Sequence, residues 1–246
     1  MPAKLSLLGG FPVKKLFVAL VLSGGAPSLE GVAHEPGPGV DAGTPTMAAP
    51  VVNCTITGHV ELVRPTNARA TEPVVVSLER LANSPAVKTD PPKTANLYQR
   101  DLAFVPSWLV VNKGDSVAFV NDDPDFHSVF SVWALDPFLI PQSRKSVSGT
   151  RLFDVPGLVP IRCDIHSKMR AEIFVLSTKY YAVADSRGNW RIEAPAGKWR
   201  VRAVERNGAS VVTEVSGCDS PVSLTLVQGP APKQVRRDGT NYKYEP

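Results

Sequence analysis

The sequence predicts an all-β protein. Short runs rich in Val, Ile and Phe recur between clusters of Gly, Pro, Asn and Asp, and no stretch beyond the N-terminus keeps a helical periodicity. The 23 Pro and 18 Gly are spread along the 246 residues rather than gathered in one tract. This length suits one or two β domains of ordinary size.

The N-terminus predicts a secretory signal peptide over residues 1–28. Lys14 and Lys15 precede the apolar run "LFVALVL" and the small-residue stretch "SGGAPS". The apolar run is too short to span a bilayer, which disfavours the alternative of a membrane anchor. Cleavage after Ser28 and cleavage after Ala33 both fit the small residues there. We therefore expect an exported protein, periplasmic or secreted, with no membrane span in its mature form.

Two segments have little to bury. Residues 29–52 carry Pro and Gly every few positions, and residues 228–246 are polar, basic and Pro-containing. Such segments do not offset the entropy lost on ordering. The sequence predicts a disordered leader at the first and a basic tail at the second, with the tyrosines of the tail as candidates for docking on the protein.

Three blocks of strands lie between them. Residues 53–82 hold two alternating runs, which predict a β-hairpin or two strands of one sheet. Residues 97–176 hold the runs "AFVPSWLVV", "SVAFVND", "GLVPIRC" and "EIFVL", with "NKGD" typical of a turn between antiparallel neighbours. Residues 177–227 alternate around the turns "SRGN" and "PAGKW", which predicts a second small antiparallel β-sandwich.

The three cysteines are an odd number for an oxidising compartment. Cys54 and Cys218 lie near the two ends of the folded region in sequence contexts that suggest a structural role. We predict a disulfide between them. Cys163 is then the cysteine that stays reduced, and it needs a reason to do so.

That reason lies in "RCDIHSKM", where Cys163, His166 and Met169 are each three residues apart. On one tight turn a thiolate and an imidazole can point at a common centre, and a thioether can approach from another side. His127 is the candidate for a second imidazole, because it follows a strand and an acidic, Pro-containing turn. The other two histidines lie in the leader and within a strand of the first block.

Two imidazoles, a thiolate and a weak axial thioether are typical of a blue-copper site. Zinc prefers four good donors, so a zinc site would need a carboxylate, with Asp164 and Asp125 nearest in sequence. Each residue alone is more often structural: a Cys or Met fills a core, and a His forms an ordinary hydrogen bond. A Cys–His nucleophilic pair is a further alternative, but no third group is available to orient the base.

The segment "GDSVAFVNDDPDFHSVFS", followed by "FDVPGLVPIRCDIHSKM", resembles the cupredoxin pattern over about residues 97–176. The short Cys-x-x-His-x-x-Met loop is similar to that of amicyanin. The "CDIH" form resembles plastocyanin-like proteins known as methylamine utilisation proteins. The resemblance implies a Greek-key sandwich and one copper ion, with His127, Cys163 and His166 as equatorial ligands and Met169 as the axial one.

The same resemblance implies that Asn121 orders the backbone near the first ligand. Two positions depart from the family pattern: Ser128 stands where Asn is frequent, and Arg162 stands where an aromatic residue is frequent. The segment "VADSRGNWRIEAPAGKWRVRAVE" resembles a carboxypeptidase regulatory-like β module. The opening strands also resemble that module, which would place the copper unit between two parts of one sandwich, joined by the predicted disulfide.

The function implied is electron transfer by a single type 1 copper, with no bond-making and therefore no enzymatic activity. A copper oxidase or nitrite reductase would need further ligand sets, and the chain has only four histidines. The alternative is a copper-binding or storage protein, or a β scaffold whose metal site is secondary. The aromatic residues Trp108, Phe119, Phe126 and Phe153 are expected in the core.

The charge of the chain indicates which classes of partner it is expected to bind. The net charge of +4 comes from scattered basic residues, which gives little support to nucleic-acid binding. Several basic residues lie close in sequence to the ligand segments and predict a redox partner with an acidic surface, although ordinary solvated positions explain them equally well. These are Arg144, Lys145, Arg162, Lys168 and Arg170.

Overall fold

The structure is a computed structural model, and it describes residues 52–64, 73–81, 90–132, 135–144, 146–218 and 221–242. The predicted signal peptide and all of the predicted leader except Val52 lie outside these residues. The described residues hold strands and no helix, and so none with the length and apolarity needed to cross a membrane. The all-β prediction is confirmed.

The described strands, in chain order, are β1 (Asn53–Val63), β2 (Val74–Arg80), β3 (Thr94–Arg100), β4 (Ala103–Val105), β5 (Trp108–Asn112), β6 (Asp115–Asn121), β7 (His127–Ser131), β8 (Phe138–Ser143), β9 (Ser146–Phe153), β10 (Gly157–Arg162), β11 (Arg170–Leu176), β12 (Tyr181–Val183), β13 (Asn189–Pro195), β14 (Lys198–Glu205), β15 (Ser210–Ser216) and β16 (Val222–Val227).

Strands from both ends of the described chain build the first sandwich. Its sheets have the orders β13-β1-β16 and β12-β2-β14-β15. Alternating residues of β13 and β14 are buried, as expected for strands with one face on a core. The two sheets enclose a core that includes Ile56, Leu78, Trp190, Trp199 and Leu224.

The strand pairing in this sandwich differs from what the sequence predicts. β1 and β2 lie in different sheets, so residues 53–82 form neither a hairpin nor two strands of one sheet. The "SRGN" turn connects β12 to β13, and the "PAGKW" turn connects β13 to β14. In both cases the two strands lie in opposite sheets and pack face to face across the core, so they do not pair with each other. β1 pairs in parallel with β16, which the long intervening chain permits.

Strands β3 to β11, which all lie between β2 and β12 in the chain, form the second sandwich. Its sheets have the orders β5-β11-β10-β7-β8 and β4-β3-β6-β9. The sequence predicted a sandwich over about residues 97–176, and this one spans residues 94–176. Its core includes Leu97, Phe119, Val129, Ile161 and Ile173.

The second sandwich also differs in detail from the sequence prediction. The "NKGD" turn joins β5 and β6, which lie in different sheets, and β5 pairs in parallel with β11. The strands β3, β7, β8 and β9 were not predicted. β8 and β9 are edge strands of their sheets, and with mostly exposed or half-buried residues they show little apolar alternation.

A disulfide joins Cys54 of β1 to Cys218, between β15 and β16, with a Cα–Cα distance of 6.0 Å. The two residues are 164 positions apart, so the bond connects the two parts of the chain that form the first sandwich. Cys163 is a free cysteine and is buried.

Candidate metal centre

Three neighbouring strands bring the predicted ligands to one end of a sheet. β10 lies between β7 and β11 and is antiparallel to both, with Arg162 opposite Phe130 on one side and Arg170 on the other. The end of β10 therefore lies beside the beginnings of the two other strands. His127 begins β7, Cys163 follows β10, and Met169 precedes β11.

The loop between Cys163 and Met169 is closed by its own backbone. The N–H of Met169 donates to the carbonyl of His166 at 3.1 Å, and the N–H of Cys163 donates to the carbonyl of Met169 at 3.4 Å. These bonds hold the chain in a tight turn across the sheet end. The three-residue spacing of the sequence thus corresponds to one compact loop.

Two imidazoles and one thiol converge at this loop. His127 Nδ1 lies 3.1 Å from His166 Nδ1, and Cys163 Sγ lies 3.8 Å from His166 Nδ1. All three potential donor atoms lie within 4.8 Å of one another. This separation allows one ion to bind all three at ordinary metal–nitrogen and metal–sulfur distances.

Burial shapes the chemistry of these groups. His127 and Cys163 are fully buried, whereas His166 is partly exposed. Burial lowers the pKa of His166 below its usual value, and the nearby imidazole of His127 lowers it further. The neutral imidazole that a metal requires is thereby favoured at His166.

Met169 is also fully buried and packs in the same core as Cys163. Met169 is the last residue of the loop that carries Cys163 and His166, and its backbone N–H and carbonyl make the two hydrogen bonds that close this loop. Its thioether is the candidate for a fourth, weaker ligand.

Asn121 orders the turn that precedes His127. Its Nδ2 donates to the carbonyls of Asp125 at 2.9 Å and Ser143 at 2.8 Å, and its Oδ1 accepts from the N–H of Asp123 at 2.9 Å. One buried side chain thus ties the end of β6 to the turn and to β8.

Ser128 connects the two ligand segments. Its Oγ accepts a hydrogen bond from the N–H of Asp164 at 2.9 Å and lies 3.9 Å from Cys163 Sγ. A serine at this position therefore joins β7 to the loop beside the thiol.

Sequence reasoning missed Asp123. Its Oδ2 lies 2.8 Å from His127 Nε2, and both side chains are buried. Burial raises the pKa of Asp123, but hydrogen bonds from the N–H groups of Leu102 and Asp101 and from His127 outweigh it, so the pKa lies below its usual value. A carboxylate at Nε2 leaves Nδ1 of His127 to face the centre. The signal was present in "DDPDFH", where an acid precedes the histidine.

Neither carboxylate considered for a zinc site joins the cluster. Asp164 Oδ1 accepts from the N–H of Arg237 at 2.9 Å and lies 3.6 Å from Arg236 Nε. Asp125 is exposed. Among the described residues, the donor set is two imidazoles and one thiol, without a carboxylate.

The exposed residues close in sequence to the candidate ligands are mixed in character. Phe126 is 50% exposed and Ile165 is 41% exposed, so the prediction that Phe126 lies in the core is wrong. Lys168 is exposed, and the Arg144 guanidinium lies 5.4 Å from the centroid of the Phe126 ring. The exposed ring lies next in sequence to a ligand, where solvent reaches the site.

Arg162 does not belong to this basic surface. It is buried, and its Nη1 donates to Glu172 Oε1 at 3.2 Å and to the carbonyl of Ala171 at 3.1 Å. Glu172 also accepts a short hydrogen bond from Arg206 of the first sandwich. Lys145 lies outside the described residues, which leaves Arg144, Lys168 and Arg170 of the predicted set near the surface.

No protein-family profile and no curated protein matches this chain. Solved structures do. The reduced form of an amicyanin mutant is 21% identical over 33% of this chain and 81% of its own, with a TM-score of 0.32. Amicyanin from Paracoccus versutus is 20% identical over 38% and 86%, with a TM-score of 0.32. A copper-containing nitrite reductase from Thermus scotoductus is 21% identical over 48% and 28%, with a TM-score of 0.33.

Proposed function

We propose that this protein is an exported type 1 copper protein that carries single electrons. The observation that carries the proposal is the convergence of His127 Nδ1, Cys163 Sγ and His166 Nδ1 within 4.8 Å at one end of a sheet. In this proposal Met169 is the axial ligand and one copper ion is bound. The proposed role includes no bond-making step.

The donor set fits copper better than zinc. A thiolate and two imidazoles suit both oxidation states of copper, and a thioether is useful to copper and of little value to zinc. The carboxylates that could complete a zinc site are occupied or exposed. When bound, copper would supply a centre that gains and loses one electron.

The protein supplies a ligand set that is already in place. Asp123 fixes the ring of His127, Ser128 joins the ligand segments, and the loop closes on its own backbone. Burial of Cys163 and His127 excludes water from most of the site. Such restraints limit the movement that accompanies a change of charge, which favours rapid electron transfer.

His166 is the ligand nearest to solvent, and we place the redox partner there. Phe126 and Ile165, which directly precede His127 and His166 in the chain, offer exposed apolar side chains, and Lys168 and Arg144 offer positive charge. We propose a partner with an acidic surface. On the sequence resemblance alone, we also propose that the protein is related to the methylamine utilisation proteins and that the first sandwich is a carboxypeptidase regulatory-like module.

The decisive experiment is the visible spectrum of the mature protein after copper addition and oxidation, recorded beside Cys163→Ser. We expect an intense charge-transfer band from Cu(II) and thiolate, reversible one-electron chemistry, and loss of the band in the variant. Cys54 and Cys218 remain paired in the variant and serve as an internal control. Folded protein that binds copper without such a band would favour the alternative role in copper binding or storage.

A further inference from the structure

The chain that follows β16 packs against the metal-binding loop. We call residues 228–242 the C-terminal strap. The Tyr242 hydroxyl donates a short hydrogen bond to the carbonyl of Cys163, and the N–H of Arg237 donates to Asp164 Oδ1 at 2.9 Å. Arg236 Nε lies 3.6 Å from the same oxygen. The strap thus contacts two consecutive residues of the loop, one of which carries the thiol.

The other end of the strap is fixed to the first sandwich. The N–H of Gln228 donates to the carbonyl of Val63 at 2.9 Å. The N–H of Gly229 donates to Glu205 Oε1 at 3.2 Å, and the carbonyl of Gly229 accepts from Asn207 Nδ2 at 3.0 Å. Glu205 is fully buried, so this attachment belongs to the core of the structure. The strap is therefore held at both ends.

We propose that Tyr242 is a positioning residue for Cys163 and that the strap fixes the direction of its thiolate. The consequence for a bound copper ion rests on the function proposed above, whereas the restraint on the loop does not. The sequence predicted a basic tail over residues 228–246, and in the described part of it Tyr242 docks on the loop.

The physical reason lies in the peptide between Cys163 and Asp164. Tyr242 binds its carbonyl, and Ser128 Oγ accepts from its N–H at 2.9 Å. With both groups bound, rotation of this peptide is restrained, and with it the backbone of Cys163 from which the thiol side chain extends. The strap holds the next side chain, Asp164, in addition. Loss of the Tyr242 hydroxyl removes one of the two bonds on this peptide.

The test compares Tyr242→Phe with wild type in the full chain, with Tyr181→Phe as the matched control. Tyr181 lies on β12 of the first sandwich and is exposed. We expect amide hydrogen exchange in residues 163–170 of the metal-free protein to rise about fivefold in Tyr242→Phe, as the loss of one hydrogen bond implies. In the copper-loaded protein we expect a shifted visible band and faster loss of copper to a chelator. Tyr181→Phe should show neither change.

Asp164 gives a second, independent pair of variants. Asp164→Asn keeps an acceptor oxygen for the N–H of Arg237 and should preserve the exchange protection, whereas Asp164→Ala should lose it. Unchanged exchange in both Tyr242→Phe and Asp164→Ala would overturn the proposal. Faster exchange without any blue band would support the strap and count against the type 1 copper function, so the two proposals fail separately.

Discussion

Asp123 and His127 form a buried carboxylate–imidazole pair, with Oδ2 and Nε2 2.8 Å apart. The carboxylate also accepts from the N–H groups of Asp101 at 2.6 Å and Leu102 at 3.0 Å. These two residues have φ angles of 53° and 55°, in the left-handed region that non-glycine residues seldom occupy. The β3–β4 turn thus directs two N–H groups at Asp123, which in turn orients the His127 ring in the candidate metal centre.

We predict that Asp123→Asn weakens metal binding and raises the reduction potential. The amide removes a negative charge that favours the oxidised ion and loosens the orientation of His127. Loss of such a partner lowers metal affinity by about 10-fold to 100-fold. Chelator competition and redox titration measure both effects.

The control is Asp122→Asn, at the adjacent position. Asp122 pairs with Arg100 at 2.6 Å on the surface. A charge change there leaves the orientation of His127 intact. Equal shifts in the two variants would contradict the assigned role of Asp123 and indicate only a general effect of net charge.

Glu172 joins the two sandwiches, and we predict that Glu172→Gln is strongly destabilising. Its carboxylate accepts from Arg162 of β10 and from Arg206 of the β14–β15 turn, and all three side chains are largely buried. Burial lowers the pKa of Arg162, and Glu172 opposes that shift. Removal of the negative charge leaves buried guanidinium groups uncompensated, which costs about 3–5 kcal/mol. Urea unfolding measures the change.

The matched control is Glu79→Gln. Glu79 Oε1 accepts from Arg202 Nε at 2.6 Å within one sheet, and both side chains are partly exposed. Exposed pairs contribute about 1 kcal/mol or less. If Glu172→Gln lowers the free energy of unfolding no more than Glu79→Gln does, the cluster between the sandwiches contributes no more to stability than an exposed ion pair.

The sequence was informative where chemistry depends on spacing. Cys163 and His166 could be predicted as candidate ligands because a short loop forces them together. His127 could be predicted as a third candidate because few other histidines were available. The partners of Glu172 and Tyr242 could not be predicted, since each pair is distant in the chain and meets only through the tertiary fold. Turn residues identified where β5 ends and β6 begins, but they did not reveal that the two strands lie in different sheets.

We predict that the Cys54–Cys218 bond stabilises the first sandwich by about 2–5 kcal/mol, the range for removal of a native disulfide. The bond closes a loop of most of the folded chain and links β1 to the segment before β16. The double variant Cys54→Ser/Cys218→Ser should unfold at lower urea, and reductant should lower the stability of the wild type similarly. Cys163→Ser should keep the sensitivity to reductant. A double variant as stable as the wild type would contradict the prediction.

Asp185 gives a pH-dependent contribution to stability. Its carboxylate accepts from the N–H of Asn189 at 2.8 Å and of Arg187 at 2.9 Å, in the turn between β12 and β13. The bond from Asn189 lowers the pKa of Asp185 below 3.8, although partial desolvation opposes it. A carboxyl with a lowered folded-state pKa stabilises the protein above its unfolded pKa, and this contribution disappears as the pH falls through the folded value. Asp185→Asn should therefore flatten the pH dependence of urea unfolding below about pH 4.

Asp154→Asn, at an exposed carboxylate 3.9 Å from Lys113, is the control. Identical acid profiles for wild type and Asp185→Asn would show that the turn does not depend on the ionised form.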